Sequence, residues 1–277
     1  MATRLRVYYR PVDLPDAVAR LRDESVEAAP LLIGPRPPVG VFPDRPQLVD
    51  VLPLNLAEVA EAETGRLSLG AGLSLQTLIE HPRLSSLADG VLAEAARLAA
   101  HLGLRHVATL GGLLLGEAGP PEVELALLAL EATVVTLGQT RQTTPLAHFR
   151  PTPRELPVAV TVAASARQHA ALARVARSPL DQAIVATVAV LTVADGVCQE
   201  ARLAVAGAGP RPFCLTAAQL GLAGQAWTPA RGAAAAQAVQ AAGQPAGDYR
   251  GSAEYRRAMA GVLAGRALAE AWRRAQS

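Results

Sequence analysis

The sequence contains no lysine: all 26 of its basic residues are arginine, against 24 acidic ones. Aromatic residues make up only 3% of the 277 positions, and cysteine occurs twice, at Cys198 and Cys214. Each shortage excludes something. Two cysteines make no disulfide framework, and an iron–sulfur cluster takes about four thiolates, so this chain cannot hold one alone. A net charge of +2 with scattered arginines forms no basic stripe for nucleic acid. So few aromatics also leave no platform on which bases could stack. The longest uncharged apolar stretch, Ala183 to Ala194, falls short of the ~20 residues of a membrane helix. The N-terminus, Met1 to Arg10, carries charges where a signal peptide needs an apolar run. A soluble, cytoplasmic protein is expected.

Catalytic and metal signatures are absent too. The histidines, His81, His101, His106, His148 and His169, show no His-x-x-x-His spacing, and there is no Cys-x-x-Cys. No metal site is expected. Neither a Gly-x-Ser-x-Gly elbow nor a Walker loop occurs, and no residue stands out as a catalytic nucleophile or base.

What is present is a chain with 51% hydrophobic residues, long enough for two domains. Leu5–Tyr9 reads as a strand, and Asp13 as the cap of a helix with an early proline. Leu31–Ile33 and Gln47–Val51 read as strands. Arg66–Gly70 alternates as a strand should, and Ser74 caps a helix from Leu75 to Glu80. Leu84–Leu102 reads as one long Ala/Leu helix, and Pro120-Pro121 start another that runs to Glu131. Thr133–Leu137 and Arg141–Thr143 read as a hairpin, followed by a strand over Leu156–Ala163. The pattern blurs over Ser165–Arg177, which sets the expected boundary: a first domain of residues 1–168, with subdomains of about 1–55 and 56–168, and a second of 169–277. Beyond it, two strands pair across Asp195-Gly196. Helices are expected over Thr216–Leu222, Pro229–Ala242 and Ser252–Ala275.

The stretch Leu104-Arg-His-Val-Ala-Thr-Leu-Gly-Gly-Leu113 organises the first half. Its glycine pair serves as a tight turn between buried elements, or as a loop that presses backbone N–H groups against phosphates. Gly70-Ala-Gly72 follows a strand but lacks a third glycine, which favours packing over a dinucleotide fingerprint. Glu122 and Glu124 suit the positive end of a helix dipole.

Taken together, these residues resemble the FAD-binding medium subunit of the molybdenum hydroxylases, the carbon monoxide dehydrogenase and xanthine dehydrogenase group. Leu104–Gly112 is similar to the family's Ile-Arg-Asn-x-Ala-Thr-Ile-Gly-Gly. Leu127–Ala132 resembles its Leu-Leu-Ala-Leu-Asp-Ala, and Asp248–Arg257 its C-terminal segment. The resemblance implies an α+β fold: two subdomains with FAD between them, then a small sheet with a helical bundle. It also implies partners, an iron–sulfur small subunit and a large subunit with a molybdenum cofactor. Electrons would pass from the partner's clusters to FAD and on to an acceptor, with no activity for this chain alone.

Carried onto this sequence, the family's FAD contacts fall on Ile33, Gly34, Pro35 and Arg36 in a first loop. A second loop supplies Thr109, Gly111 and Gly112, and Glu122 stands for a family aspartate. The first loop departs from the family's Ala-Gly-Gly-Thr/Ser: it carries Pro35, Pro37 and Pro38, which have no N–H to give. Leu113 replaces an asparagine, and Gln182, after Asp181, replaces a tyrosine. These departures predict weakened FAD binding, and with it a second reading, a flavin-free assembly subunit.

Overall fold

The structure is a computed structural model that describes residues 7–25, 28–31, 47–63, 65–116, 120–152, 154–178 and 181–277. In chain order the elements are β1 (Val7–Tyr9), α1 (Leu14–Arg22), β2 (Ala28–Leu31), β3 (Gln47–Asp50), β4 (Val59–Glu63), β5 (Arg66–Gly70) and α2 (Leu75–Glu80). Then come α3 (Pro82–Ser85), α4 (Val91–Ala99), α5 (Leu102–Val107), α6 (Leu110–Leu115), α7 (Pro121–Ala129), β6 (Thr133–Leu137), β7 (Arg141–Pro145) and β8 (Leu156–Ala163). The last part contains β9 (Gln168–Val175), β10 (Val185–Ala194), β11 (Val197–Ala206), β12 (Phe213–Thr216), α8 (Pro229–Ala242) and α9 (Ala253–Arg274).

Two compact units emerge, and neither is continuous in sequence. One comprises residues 1–77, 102–119 and 132–162; the other 78–101, 120–131 and 163–277. The first holds a parallel sheet of order β1-β3-β2 and a sheet of order β4-β5-β8-β6-β7. Helix α1 starts where expected: Asp13 Oδ1 accepts from Asp16 N at 2.8 Å, which satisfies one of the first-turn amides. Its buried Ala17 and Leu21 pack with Ala28, Val49, Val51 and Leu156.

The second unit is an antiparallel sheet of order β12-β11-β10-β9, with α8 and α9 packed on each other and α9 against β9 and β10. Its core joins Val185, Leu191, Leu203 and Val205 of the sheet to Leu263, Ala264 and Leu268 of α9. The β10–β11 turn is the one its residues demand. Asp195 and Gly196 both take positive φ, 52° and 71°, and Ala194 pairs with Val197. The C-terminal segment closes on a buried arginine. Arg256, 5% exposed, donates from Nη2 to Asp248 Oδ1 at 2.6 Å and from Nη1 to the Ile184 carbonyl at 2.7 Å.

Several elements differ from the sequence reading. The long helix over Leu84–Leu102 is broken into α3, a 3-10 turn, α4 and the start of α5. Ala88, Asp89 and Gly90 all take left-handed φ, and Asp89 Oδ2 accepts from Ala170 N at 3.0 Å, so a long-range bond fixes a break where Asp-Gly is already a poor helix former. Within the blurred stretch lies β9, paired along its length with β10. Thr216–Leu222 is a run of turns: Thr216 already ends β12, and Gly221 takes φ +67°. Strand β4, Val-Ala-Glu-Ala-Glu, pairs with β5 although its alanines and glutamates are poor strand formers.

Candidate functional site

The Gly-Gly stretch is built around one threonine. Thr109 caps α6, its Oγ1 accepting from Gly112 N at 3.1 Å. The next segment binds to the end of β5 and the turn beyond it: Leu110 N donates to the Leu73 carbonyl at 2.9 Å and Gly111 N to that of Ala71 at 2.7 Å. Leu113 N donates to the Thr109 carbonyl at 3.0 Å. All four amides from 110 to 113 are therefore used within the chain. Thr109, Gly111 and Gly112 are buried together, and the glycine pair lies in the first turn of α6, held against its neighbour.

That neighbour is Gly70-Ala71-Gly72, and its glycines serve packing. Gly70 N and Gly72 N donate to the carbonyls of Glu58 and Leu56, both at 2.8 Å. A Cβ on Gly70 would stand 2.1 Å from the Leu56 oxygen, so no larger residue fits.

In the second unit, Glu122 lies in the first turn of α7 with no exposed surface, and its Oε1 meets Arg174 Nη1 at 2.8 Å. Arg174, on β9, also donates to the Asp181 carbonyl at 2.6 Å. Asp181 accepts from Arg177 Nε at 2.7 Å, and this bond holds its carboxyl below the ordinary aspartate range. Gln182 accepts from Arg250 at 3.2 Å. Asp248 lies far below the usual carboxylate range, chiefly because Arg256 bonds it. Sequence reasoning singled out Glu122 but not Arg174. An arginine on a strand of blurred pattern gave no signal, whereas Arg250 and Arg256 lay inside a segment already noted.

Ile33, Gly34, Pro35 and Arg36 lie outside the described residues, as do Pro37 and Pro38. The cysteines sit apart on the second sheet. Cys214 pairs with Ala204, and Cys198 lies six residues further along β11, about 20 Å at a strand's rise. Burial pushes the Cys198 thiol up to about 11, so it is a packing residue.

Comparison with known proteins decides the family. Residues 2–162 match the FAD binding domain in molybdopterin dehydrogenase, and residues 170–271 the CO dehydrogenase flavoprotein C-terminal domain. The chain belongs to the FAD-binding medium subunits of the molybdenum hydroxylases. It is 29% identical over 281 residues to the carbon monoxide dehydrogenase medium chain of Hydrogenophaga pseudoflava, covering 96% of this chain and 97% of that one. A structure of that organism's carbon monoxide dehydrogenase lacking the Mo-pyranopterin moiety of the molybdenum cofactor superposes with a TM-score of 0.88, covers 99% of each chain and is 29% identical. Reconstituted CO dehydrogenase from Oligotropha carboxidovorans gives a TM-score of 0.86 at 27% identity, over 99% of this chain and 100% of that one. Quinoline 2-oxidoreductase from Pseudomonas putida 86, at 22% identity and a TM-score of 0.87 over all of both chains, shares the fold.

The family's cofactor is FAD. In this medium subunit, the described segment 109–112 fits a pyrophosphate in one respect: its two glycines put no side chain in the way of a close approach. As an amide donor it does not fit, because the N–H groups of 110–113 are already spent. No described helix is long and apolar enough to cross a membrane.

Proposed function

We propose that this chain is the flavoprotein subunit of a cytoplasmic molybdenum hydroxylase-like complex, passing electrons from the iron–sulfur clusters of a small subunit through FAD to an external acceptor. The substrate would be oxidised at a molybdenum cofactor held by a large subunit. The observation that carries this reading is the match to a carbon monoxide dehydrogenase medium chain over nearly the whole of both chains. Two further features support it. Cys198 and Cys214 stand far apart along the sheet, which suits clusters carried by another chain. The described nucleophiles and bases form no constellation of their own, which suits a relay.

Bound FAD supplies the ability to take electrons one at a time and give them up in pairs. The chain's part is to hold it and keep its surroundings fixed. In this proposal Ile33, Gly34, Pro35 and Arg36 belong to the FAD site together with Thr109, Gly111 and Gly112. With three prolines in the first loop and the second loop's amides committed, charge must come from Arg36, whose guanidinium suits phosphate. Glu122 enters as the residue that fixes Arg174.

A second reading has its own support. The spent amides of 110–113 and the prolines at 35, 37 and 38 favour an assembly subunit that keeps the fold and has lost the flavin. Acid extraction of FAD from the purified native complex separates the two. The relay predicts stoichiometric FAD whose visible absorbance bleaches when substrate is added. An intact complex without flavin would overturn the relay and leave the assembly role.

A further inference from the structure

One half-buried arginine stands out by what it does not bind. Arg105 lies on α5, four residues before Thr109, and its Nε is closed to solvent without a hydrogen-bond partner. Among the described residues no carboxylate or carbonyl meets the rest of its guanidinium either. The arginines held further inside differ. Arg174 bonds Glu122 and the Asp181 carbonyl, and Arg256 bonds Asp248 and the Ile184 carbonyl. A guanidinium carries five N–H donors and keeps its charge at every working pH. Held half-buried with no counter-charge, it costs the fold stability. An interior donor left without a partner therefore needs a reason to be there.

The backbone of Arg105 is fixed with respect to the Gly-Gly stretch. Ala108 N donates to the Leu104 carbonyl at 2.8 Å, so a closed helical turn carries Arg105 up to the residue before Thr109. The Ala108 carbonyl accepts from Leu75 N at 2.9 Å, and Ser74 bridges to Thr109. Arg105 thus belongs to the same pinned corner of the first unit as Thr109, Gly111 and Gly112. The amides of that corner are spent within the chain, whereas the charge one turn before them is not. What this corner lacks is an anion, and the family's cofactor carries one at its centre, the diphosphate of FAD. Arginine suits such a group, because its planar fork gives two parallel hydrogen bonds to phosphate oxygens.

We propose that Arg105 is a binding residue for the FAD diphosphate, supplying at the Gly-Gly stretch the positive interaction that its committed amides do not. Arg36 serves the same group from the first loop. The proposal rests on the reading that this chain carries FAD, and it adds a residue to that site. An assembly subunit that had lost the flavin would gain stability by losing this charge.

The test is titration of FAD into the tagged complex from the native host, stripped of its flavin, in wild type and in the R105Q and R105K variants. Flavin fluorescence gives the dissociation constant. R105Q is expected to weaken FAD about thirty-fold, equivalent to ~2 kcal/mol, as for a lost hydrogen bond to a charged group. R105K, which keeps the charge and loses the fork, falls between the two. The affinity of R105Q also depends less on ionic strength than that of wild type. Melting of the full chain without FAD separates this role from a structural one. R105Q melts no lower than wild type, because the guanidinium removed has no partner in the fold. An R105Q variant that binds FAD as wild type does overturns the proposal and leaves the relay standing. So does an R105Q variant that sheds the partner subunits with FAD affinity unchanged, which puts the counter-charge on a partner. A lower melting temperature for R105Q without FAD makes this a structural residue and also overturns the proposal. Wild-type complex that neither holds nor takes up FAD overturns the relay reading and this site with it.

Discussion

Arg174 shows how much can rest on a single side chain. It is 11% exposed and serves a glutamate with no exposed surface. Removing one partner of a buried pair leaves a charge without its counter-charge, which costs about 3–5 kcal/mol. Arg174→Met is therefore expected to lower the urea midpoint by that equivalent. The double variant Arg174→Met with Glu122→Leu should regain most of the loss, because an apolar pair of similar volume replaces both charges. A double variant no more stable than the single one would show that the pair is more than a matched set of charges. The sequence exposed only half of this pair. Glu122 follows Pro120-Pro121 at a helix start, so its dipole role was legible. Its partner lies 52 positions away on a strand whose polar and apolar residues do not alternate.

At the scale of elements, local chemistry was readable wherever a cap or turn has only one solution. Asp13, Ser74 and the Asp195-Gly196 pair each sit where the sequence placed them. What was not readable is set by distant partners. The break near Ala88–Gly90 is fixed by the bond of Asp89 to Ala170, and the Asp89-Gly90 pair, a turn dipeptide, is the one local signal for it that a single long helix overlooks. The Gly-Gly stretch left open both a turn and a phosphate cradle; the structure places the pair in the first turn of α6.

Helix α9 carries a pH-sensitive end. Arg273 and Arg274 bond Glu270 and hold its carboxyl down to about 2, against ~4.3 for a free glutamate. Arg274 also donates to the Ala170 carbonyl at 2.7 Å, tying the helix to β9. A depressed acid contributes fully above its unfolded value and loses that contribution as pH falls toward the folded one. Thermal unfolding followed from pH 6 to about 2 should therefore show an acid limb below about pH 4.3 that is shallower in Glu270→Gln. An unchanged limb would assign the acid sensitivity to other carboxylates.

For the whole molecule, the units and the family matches divide the chain differently. The matches change over between residues 162 and 170. Ser165, Ala166 and Arg167 are exposed there, in a turn before β9. We place the linker at this turn and expect trypsin to cut first after Arg167. The second unit, however, takes α4 and α7 from before the cut, and α7 packs on β10 and β11 after it. The nicked protein should therefore elute from a sizing column as one species and separate only in denaturant. Fragments that part in native buffer would mean those contacts are weak.

The same interleaving sets a schedule for the growing polypeptide. Nearly every residue of α7 is buried, including Val123, Leu125, Leu127 and Leu128, and its sheet partners β10 and β11 are made after it. At about 5–20 residues per second, the interval between emergence of α7 and completion of β11 is on the order of four to fifteen seconds. Throughout it an apolar helix waits on the ribosome with only α4 to cover part of it. The nascent chain is for that time a substrate for holding chaperones, and its yield in a cell will depend on their supply as much as on the stability of the finished fold.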